Sequence, residues 1–163
     1  MKSTKVEVAG VVFSKLRPSR SDVFADIGCG SGSVSAFFAP YVREVYAVDL
    51  KLSEEAKERL KNFENVHVLE MDGLEFLETH EVDLAFFGGT KGIEEMLEVC
   101  RARRIVVNAA RIEVAVRVSR KMKELGIFDE LLMVSVAKGY ELAGGTAFRY
   151  LNPVFVVCGR RTP

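Results

Sequence analysis

Residues 25–33 of the 163-residue chain read ADIGCGSGS: three alternate glycines, Gly28, Gly30 and Gly32, behind an apolar run that carries the carboxylate Asp26. Glycine accepts positive φ and lets a ligand approach the backbone, and a helix opening behind such a loop presents unpaired N–H groups. The segment is therefore read as a binding loop, with Asp26, Cys29 and Ser31 counted among its contacts. The dinucleotide fingerprint G-x-G-x-x-G requires a third glycine at position 33, but Ser33 stands there and Gly32 comes one residue early. Asp26 adds negative charge, which suits an ammonium or sulfonium better than a pyrophosphate. A glycine turn serving only strand-to-helix packing is the alternative.

Two further acids belong with the loop. Asp49 in YAVDL follows Gly28 by 21 residues, where a carboxylate accepts the hydroxyls of a ribose. Asp72-Gly73 in LEMDG closes the next strand, where an acid accepts an adenine amino proton. Each acid taken singly reads equally well as a helix cap; three at successive strand ends read as a site.

Elements that alternate along the whole chain must position these residues. Apolar runs predict strands at 22–27, 44–49, 65–70, 82–87 and 104–108, separated by helical patterns at 5–16, 33–40, 53–62, 73–79, 91–101 and 111–125. Ser53, followed by Glu54 and Glu55, supplies a helix cap and first-turn acids. Such alternation demands right-handed crossovers and a parallel sheet covered on both faces. The expected fold is α/β, a doubly wound Rossmann-like sheet of five parallel strands in one domain spanning 1–163. Two later runs, FDELLMVSVAKG and AFRYLNPVFVVCGR, joined by YELAGGT, predict an antiparallel pair at one edge, with Pro153 at an unpaired position or bulge.

Composition narrows the classes. Apolar residues make up 48% and the formal charges cancel, which excludes a disordered chain and a wholly basic nucleic-acid binder. The halves differ, however: 10 Lys/Arg against 14 Asp/Glu in 1–82, and 13 against 9 in 83–163, so the second half favours anions. Cys29, Cys100 and Cys158 are odd in number and lack C-x-x-C spacing, so they read as free thiols in a cytoplasm, with no metal site. No apolar run reaches the roughly 18 residues of a membrane span. The chain contains no Gln and four Asn, a bias found in proteins from hot environments.

The D-x-G-x-G-x-G loop and the two later acids resemble the class I S-adenosylmethionine-dependent methyltransferases. That resemblance implies S-adenosyl-L-methionine as cofactor, with the loop and Asp26 at its methionine part, Asp49 at the ribose and Asp72-Gly73 at the adenine. Strand four ends FFGGTKG in place of the Asn/Asp-Pro-Pro-Tyr/Phe of enzymes that methylate base or amide nitrogens, and no aromatic RNA-binding stripe is present. GGTKGIEEML, NAARIE and AKGYELAGGTAFRYLNPVFVVCG, with N-terminal STKVEV, resemble the decarboxylating cobalt-precorrin methyltransferases of cobalamin synthesis. Those enzymes methylate carbon 15 and remove the ring C acetate carboxyl of cobalt-precorrin-6B.

The closer resemblance implies that Thr4 lies over the donor and that Gly88, Gly89 and Thr90 line the acceptor side. It also implies a precorrin tetrapyrrole as partner and a homo-oligomer, a tetramer among the candidates, with no nucleic acid or membrane. VCRARR replaces the Pro-Gly-Gly turn common before strand five in that family. A flat macrocycle rimmed with carboxylates requires cations around an apolar slot, and Lys91, Arg111, Lys138 and Arg149 are the expected ones. No general base stands out. Glu113 and Tyr140 are candidate proton handlers by position alone, while His67 reads as a packed or surface residue and His80 as part of a polar loop. The rival readings are a class I methyltransferase acting on another small molecule, RNA or protein, and a donor-binding subunit without activity.

Overall fold

The computed structural model describes residues 4–162. Helix α1 (Val6–Leu16) leads into β1 (Val23–Ile27), and α2 (Ser33–Phe38) continues through a 3-10 turn at Ala39–Tyr41 into β2 (Glu44–Asp49). There follow α3 (Glu54–Leu60), β3 (Val66–Glu70), α4 (Gly73–Thr79), β4 (Leu84–Phe87), α5 (Ile93–Val99), β5 (Arg104–Ala109) and α6 (Ile112–Glu124). Four strands complete the chain: β6 (Phe128–Val134), β7 (Ala137–Leu142), β8 (Gly145–Tyr150) and β9 (Val154–Arg160).

Seven strands form one sheet in the order β3-β2-β1-β4-β5-β9-β6, the first five parallel. All residues of β1 and β4 are buried, as expected of central strands covered on both faces. One face packs through Ala25, Ile27, Val48, Ile105 and Val107 against α4, α5 and α6; the other packs through Phe24, Val45, Phe86 and Val106 against α1 and α2. Strand order reverses between β1 and β4, the place where ligands bind in open α/β sheets. At the opposite ends of the strands, Arg103 ties the buried Asp22 at 2.8 Å, and Asp83 accepts from the Val23 amide at 2.7 Å.

The C-terminal region departs from the expected pair. Each of the two long runs divides in two. β6 and β9 are antiparallel, but β9 lies inside, between β5 and β6, and β6 takes the edge with the alternating exposure of an edge strand. β7 and β8 form a separate two-stranded hairpin, so most of YELAGGT is strand and only Ala143-Gly144 turns. Both turn residues are left-handed, at φ 49° and 81°, the twist-matching geometry of tight hairpins. Pro153 falls between β8 and β9, outside either ladder, where its missing N–H costs nothing.

Candidate functional site

Neighbouring segments hold the loop after β1. Val48 O accepts from the amides of Gly28 and Cys29 at 2.8 and 3.0 Å, and Asp49 Oδ2 accepts from the Gly30 amide at 2.9 Å. Ser53 Oγ donates to Gly30 O at 3.2 Å while accepting from the Ala56 amide, so one hydroxyl caps α3 and ties it to the loop. Arg59 donates to Ser31 O. Gly28 and Gly32 stand at φ 75° and 80°, which side chains avoid.

The loop after β4 abuts this one main chain to main chain. A Cβ on Gly28 would lie 3.2 Å from the Gly89 nitrogen, and one on Gly88 would lie 3.1 Å from the Gly28 oxygen. On one side of this contact lies a cavity of about 470 Å³, lined by Gly28, Asp49, Leu50, Met71, Asp72, Gly73, Gly89, Lys91, Glu95 and Met96 among others. Three carboxylates against one ammonium make it anionic, which favours a cationic ligand and disfavours a pyrophosphate. On the other side lies a cavity of about 790 Å³ lined by Thr4, Lys5, Val8, Gly88, Asn108, Ala109, Ala110 and the 150–154 segment. Among the described residues that line it, Lys5 is the charged one.

Asp26 lines neither cavity. It lies on the α2 face of β1, 1% exposed, and accepts from Ser35 Oγ at 2.7 Å. Burial pushes its carboxyl up to about 7; the Ser35 hydrogen bond opposes the shift and the nearby Asp49 charge adds to it. The expectation that Asp26 faces the ligand gives way to a carboxyl beneath the loop, because strand alternation points it at α2. Cys29 is also buried, which pushes its thiol up to about 12 and removes it as a nucleophile.

The remaining residues divide as follows. Gly28, Asp49, Asp72 and Gly73 share the first cavity; Cys29, Gly30, Ser31 and Gly32 shape the loop behind it. Gly73 is fixed by packing, since a Cβ there would lie 2.7 Å from Ile27 Cγ2 and 2.9 Å from Met96 Sδ. Gly89 and Lys91, expected on the acceptor side, line the first cavity, whereas Gly88 and Thr4 line the second.

Thr90 lines neither cavity, and of the four expected cations only Lys91 reaches one. Arg111 lies 3.6 Å from Glu113, Lys138 lies 3.2 Å from Glu7, and the Arg149 guanidinium sits 5.5 Å from the Tyr140 ring centroid. Local partners hold these side chains, and neither Glu113 nor Tyr140 lines a cavity. His67 is half-exposed, 3.4 Å from Glu44. Sequence reasoning missed Glu95, Lys5, Asn108 and Asn152; the Asn in NAARIE, directly after an apolar strand, was the one available signal. Among the described residues no cluster of three or more His, Cys, Asp or Glu is placed to hold a metal ion, and no helix is long and apolar enough to cross a membrane.

A glycine loop and a strand-two acid at the switch point, with an anionic cavity and a second cavity approaching each other at glycines, define a doubly wound domain of the methyltransferase type. The family model described as a precorrin methyltransferase domain matches residues 2–160, and the chain belongs to that family. A relative from Archaeoglobus fulgidus, named a probable cobalt-precorrin-6B C(15)-methyltransferase (decarboxylating), is 69% identical over 160 residues, covering 98% of each chain. One of the same name from Methanosarcina acetivorans is 42% identical, over 97% of this chain and 93% of its own. Among solved structures, a precorrin 8W decarboxylase from Methanobacterium thermoautotrophicum superposes with a TM-score of 0.90 at 29% identity, covering 98% of this chain and 92% of that one.

Asp26 generates a prediction with a definite sign. A carboxyl raised in the folded state favours the protonated form, so its contribution is fully present below the unfolded value near 3.8 and is lost as pH rises to about 7. Asp26→Asn keeps an acceptor for Ser35 and removes that titration. Thermal unfolding at pH 5 and pH 8 is expected to show the variant gaining on the parent as pH rises; an unchanged difference would mean that the burial penalty is absent.

Proposed function

We propose that this chain is a decarboxylating C15-methyltransferase acting on cobalt-precorrin-6B with S-adenosyl-L-methionine as methyl donor. The carrying observation is the pair of cavities that approach each other at Gly28, Gly88 and Gly89, one anionic and one larger with Lys5 in its lining. The names of the 69% and 42% identical relatives support the same reading.

The residues of the first cavity fit the donor. Asp49 has one oxygen on the Gly30 amide, leaving the other for ribose hydroxyls, and Asp72 stands where an adenine amino group needs an acceptor. Leu50, Met71, Leu74 and Met96 offer apolar faces for the base. The loop glycines bring main chain close to the methionine part, and the surrounding carboxylates favour its ammonium and sulfonium. When bound, the donor supplies an electrophilic methyl, whose bond to sulfur breaks with the electron pair remaining on sulfur.

The chain's own work is to hold the acceptor carbon in line and in direct contact with that methyl beside the Gly28–Gly88–Gly89 contact, and to exclude water. Loss of carbon dioxide from the acetate arm leaves an electron pair that the conjugated ring of the acceptor itself delocalises, so no covalent nucleophile is needed. The protein orients that arm, and the resulting carbon takes a proton from water or an acid at the site.

The proposed homo-oligomer has its contact in the β7-β8 hairpin. A lone two-stranded ribbon is marginal in water, and this one exposes Leu142 and Phe148 to 57% and 56% and Tyr150 to 82%, apolar surface that a second copy of the chain would cover. The three buried, free cysteines are compatible with the cytoplasmic setting we assign.

Three measurements test this reading. Purified protein with donor and cobalt-precorrin-6B is expected to release one carbon dioxide per methyl transferred; methylation without release, or no turnover, would refute the assignment. Asp49→Ala should weaken donor binding by about 1.5–3 kcal/mol, the usual worth of a hydrogen bond to a charged group, and calorimetry on the folded variant reads it. Leu142→Ser combined with Phe148→Ser should shift the particle to a smaller mass by light scattering with donor affinity retained; an unchanged mass would place the contact elsewhere.

A further inference from the structure

Asn108, at the end of β5, is 9% exposed, and its side-chain oxygen is buried without a hydrogen-bond partner. A buried acceptor left unmatched costs about 1–3 kcal/mol, and since the oxygen is out of reach of the cavity as it stands, the carboxamide must turn about its terminal bond for it to meet a ligand there. Strand alternation puts Asn108 on the same face as Val106, which packs with α1, and the larger cavity lies on that face, beside Thr4, Lys5 and Val8 at the start of α1. Lys5, whose ammonium touches only the Asn152 carbonyl at 3.5 Å, has no carboxylate within salt-bridge distance among the described residues. The remaining lining is apolar or uncharged.

We infer that Lys5 and Asn108 together bind one carboxyl arm of the acceptor in the larger cavity. The lysine supplies the charge. The carboxamide, turned about its terminal bond, presents N–H to a carboxylate or its oxygen to a carboxylic acid, so it discriminates a planar carboxyl from an apolar arm. Among the described residues, Lys5 is the cation that lines this cavity, and it suits recognition of one carboxylate arm. The inference rests on the proposed acceptor class, and it adds residues that the four cations expected from sequence did not include.

The test compares Asn108→Leu, which keeps the volume and removes both polar atoms, Asn108→Asp, which keeps the shape and adds a like charge, and Lys5→Met. Donor affinity by calorimetry reports that each variant is folded and that the first cavity is intact. Expected is an increase of about tenfold or more in KM for cobalt-precorrin-6B in Asn108→Leu and Lys5→Met, larger in Asn108→Asp, with kcat less affected and donor affinity unchanged. Fluorescence titration with uroporphyrin, a non-substrate ring carrying eight carboxylates, should weaken in parallel. KM within twofold of the parent in both neutral variants would overturn the inference. So would a matching loss of donor affinity, which would move Asn108 to the donor site. If the parent does not turn over cobalt-precorrin-6B, the proposed function fails while uroporphyrin still reads the pair: weaker binding by the variants sustains it, and unchanged binding or none by the parent overturns it.

Discussion

The close approach of two main-chain segments, the loop after β1 and the loop after β4, sets the geometry of everything around it. With the prospective Cβ positions of Gly28 and Gly88 only 3.2 and 3.1 Å from opposing backbone atoms, neither loop has room for a side chain at the contact. Gly28 and Gly89 line the smaller cavity and Gly88 the larger, so the two cavities approach each other at this contact. Glycine is needed here for proximity, whereas at Gly32 it serves a positive φ and packing on Leu60.

Electrostatics distinguishes the two cavities. Asp49 both pins the loop through Gly30 and turns its charge to the smaller cavity, so the loop's shape and the cavity's sign depend on one side chain. Asp26 lies in the same field but out of solvent; burial contributes most to raising its carboxyl, and the nearby Asp49 charge adds to that rise. The larger cavity has a different character, nearly neutral with one lysine at hand.

The parallel half of the fold was legible because each of its strands is a short apolar run bounded by a helical pattern, and Ser53 caps α3 as its sequence context suggests. Gly28, Asp49, Asp72 and Gly73, expected together from the sequence, share a local signature tied to strand ends, and they line one cavity. The antiparallel part was harder. FDELLMVSVAKG and AFRYLNPVFVVCGR carry weak internal turn signals, so their division into four strands is set by tertiary pairing. The larger cavity draws Lys5, Asn108 and Asn152 from segments more than 40 residues apart, and Asn152 joins the other two through the placement of β9 beside β5. Charge counting also misled over Arg111 and Lys138, whose partners Glu113 and Glu7 the count cannot see.

The position of β9 bears on how the molecule is made. β6 has no sheet partner except β9, which is synthesised after it and after the whole hairpin, and β9 must also reach β5, whose pairing spans Ala109 to Phe155. On a ribosome the parallel half and its glycine loops can assemble while β6 waits unpaired, an exposed edge of the kind that invites aggregation. β9 pairs with β6 on one side and β5 on the other, leaving β6 a single open edge, and carries with it the 150–154 segment that walls the larger cavity. Closure of that cavity therefore waits on long-range pairing, which is slow to form.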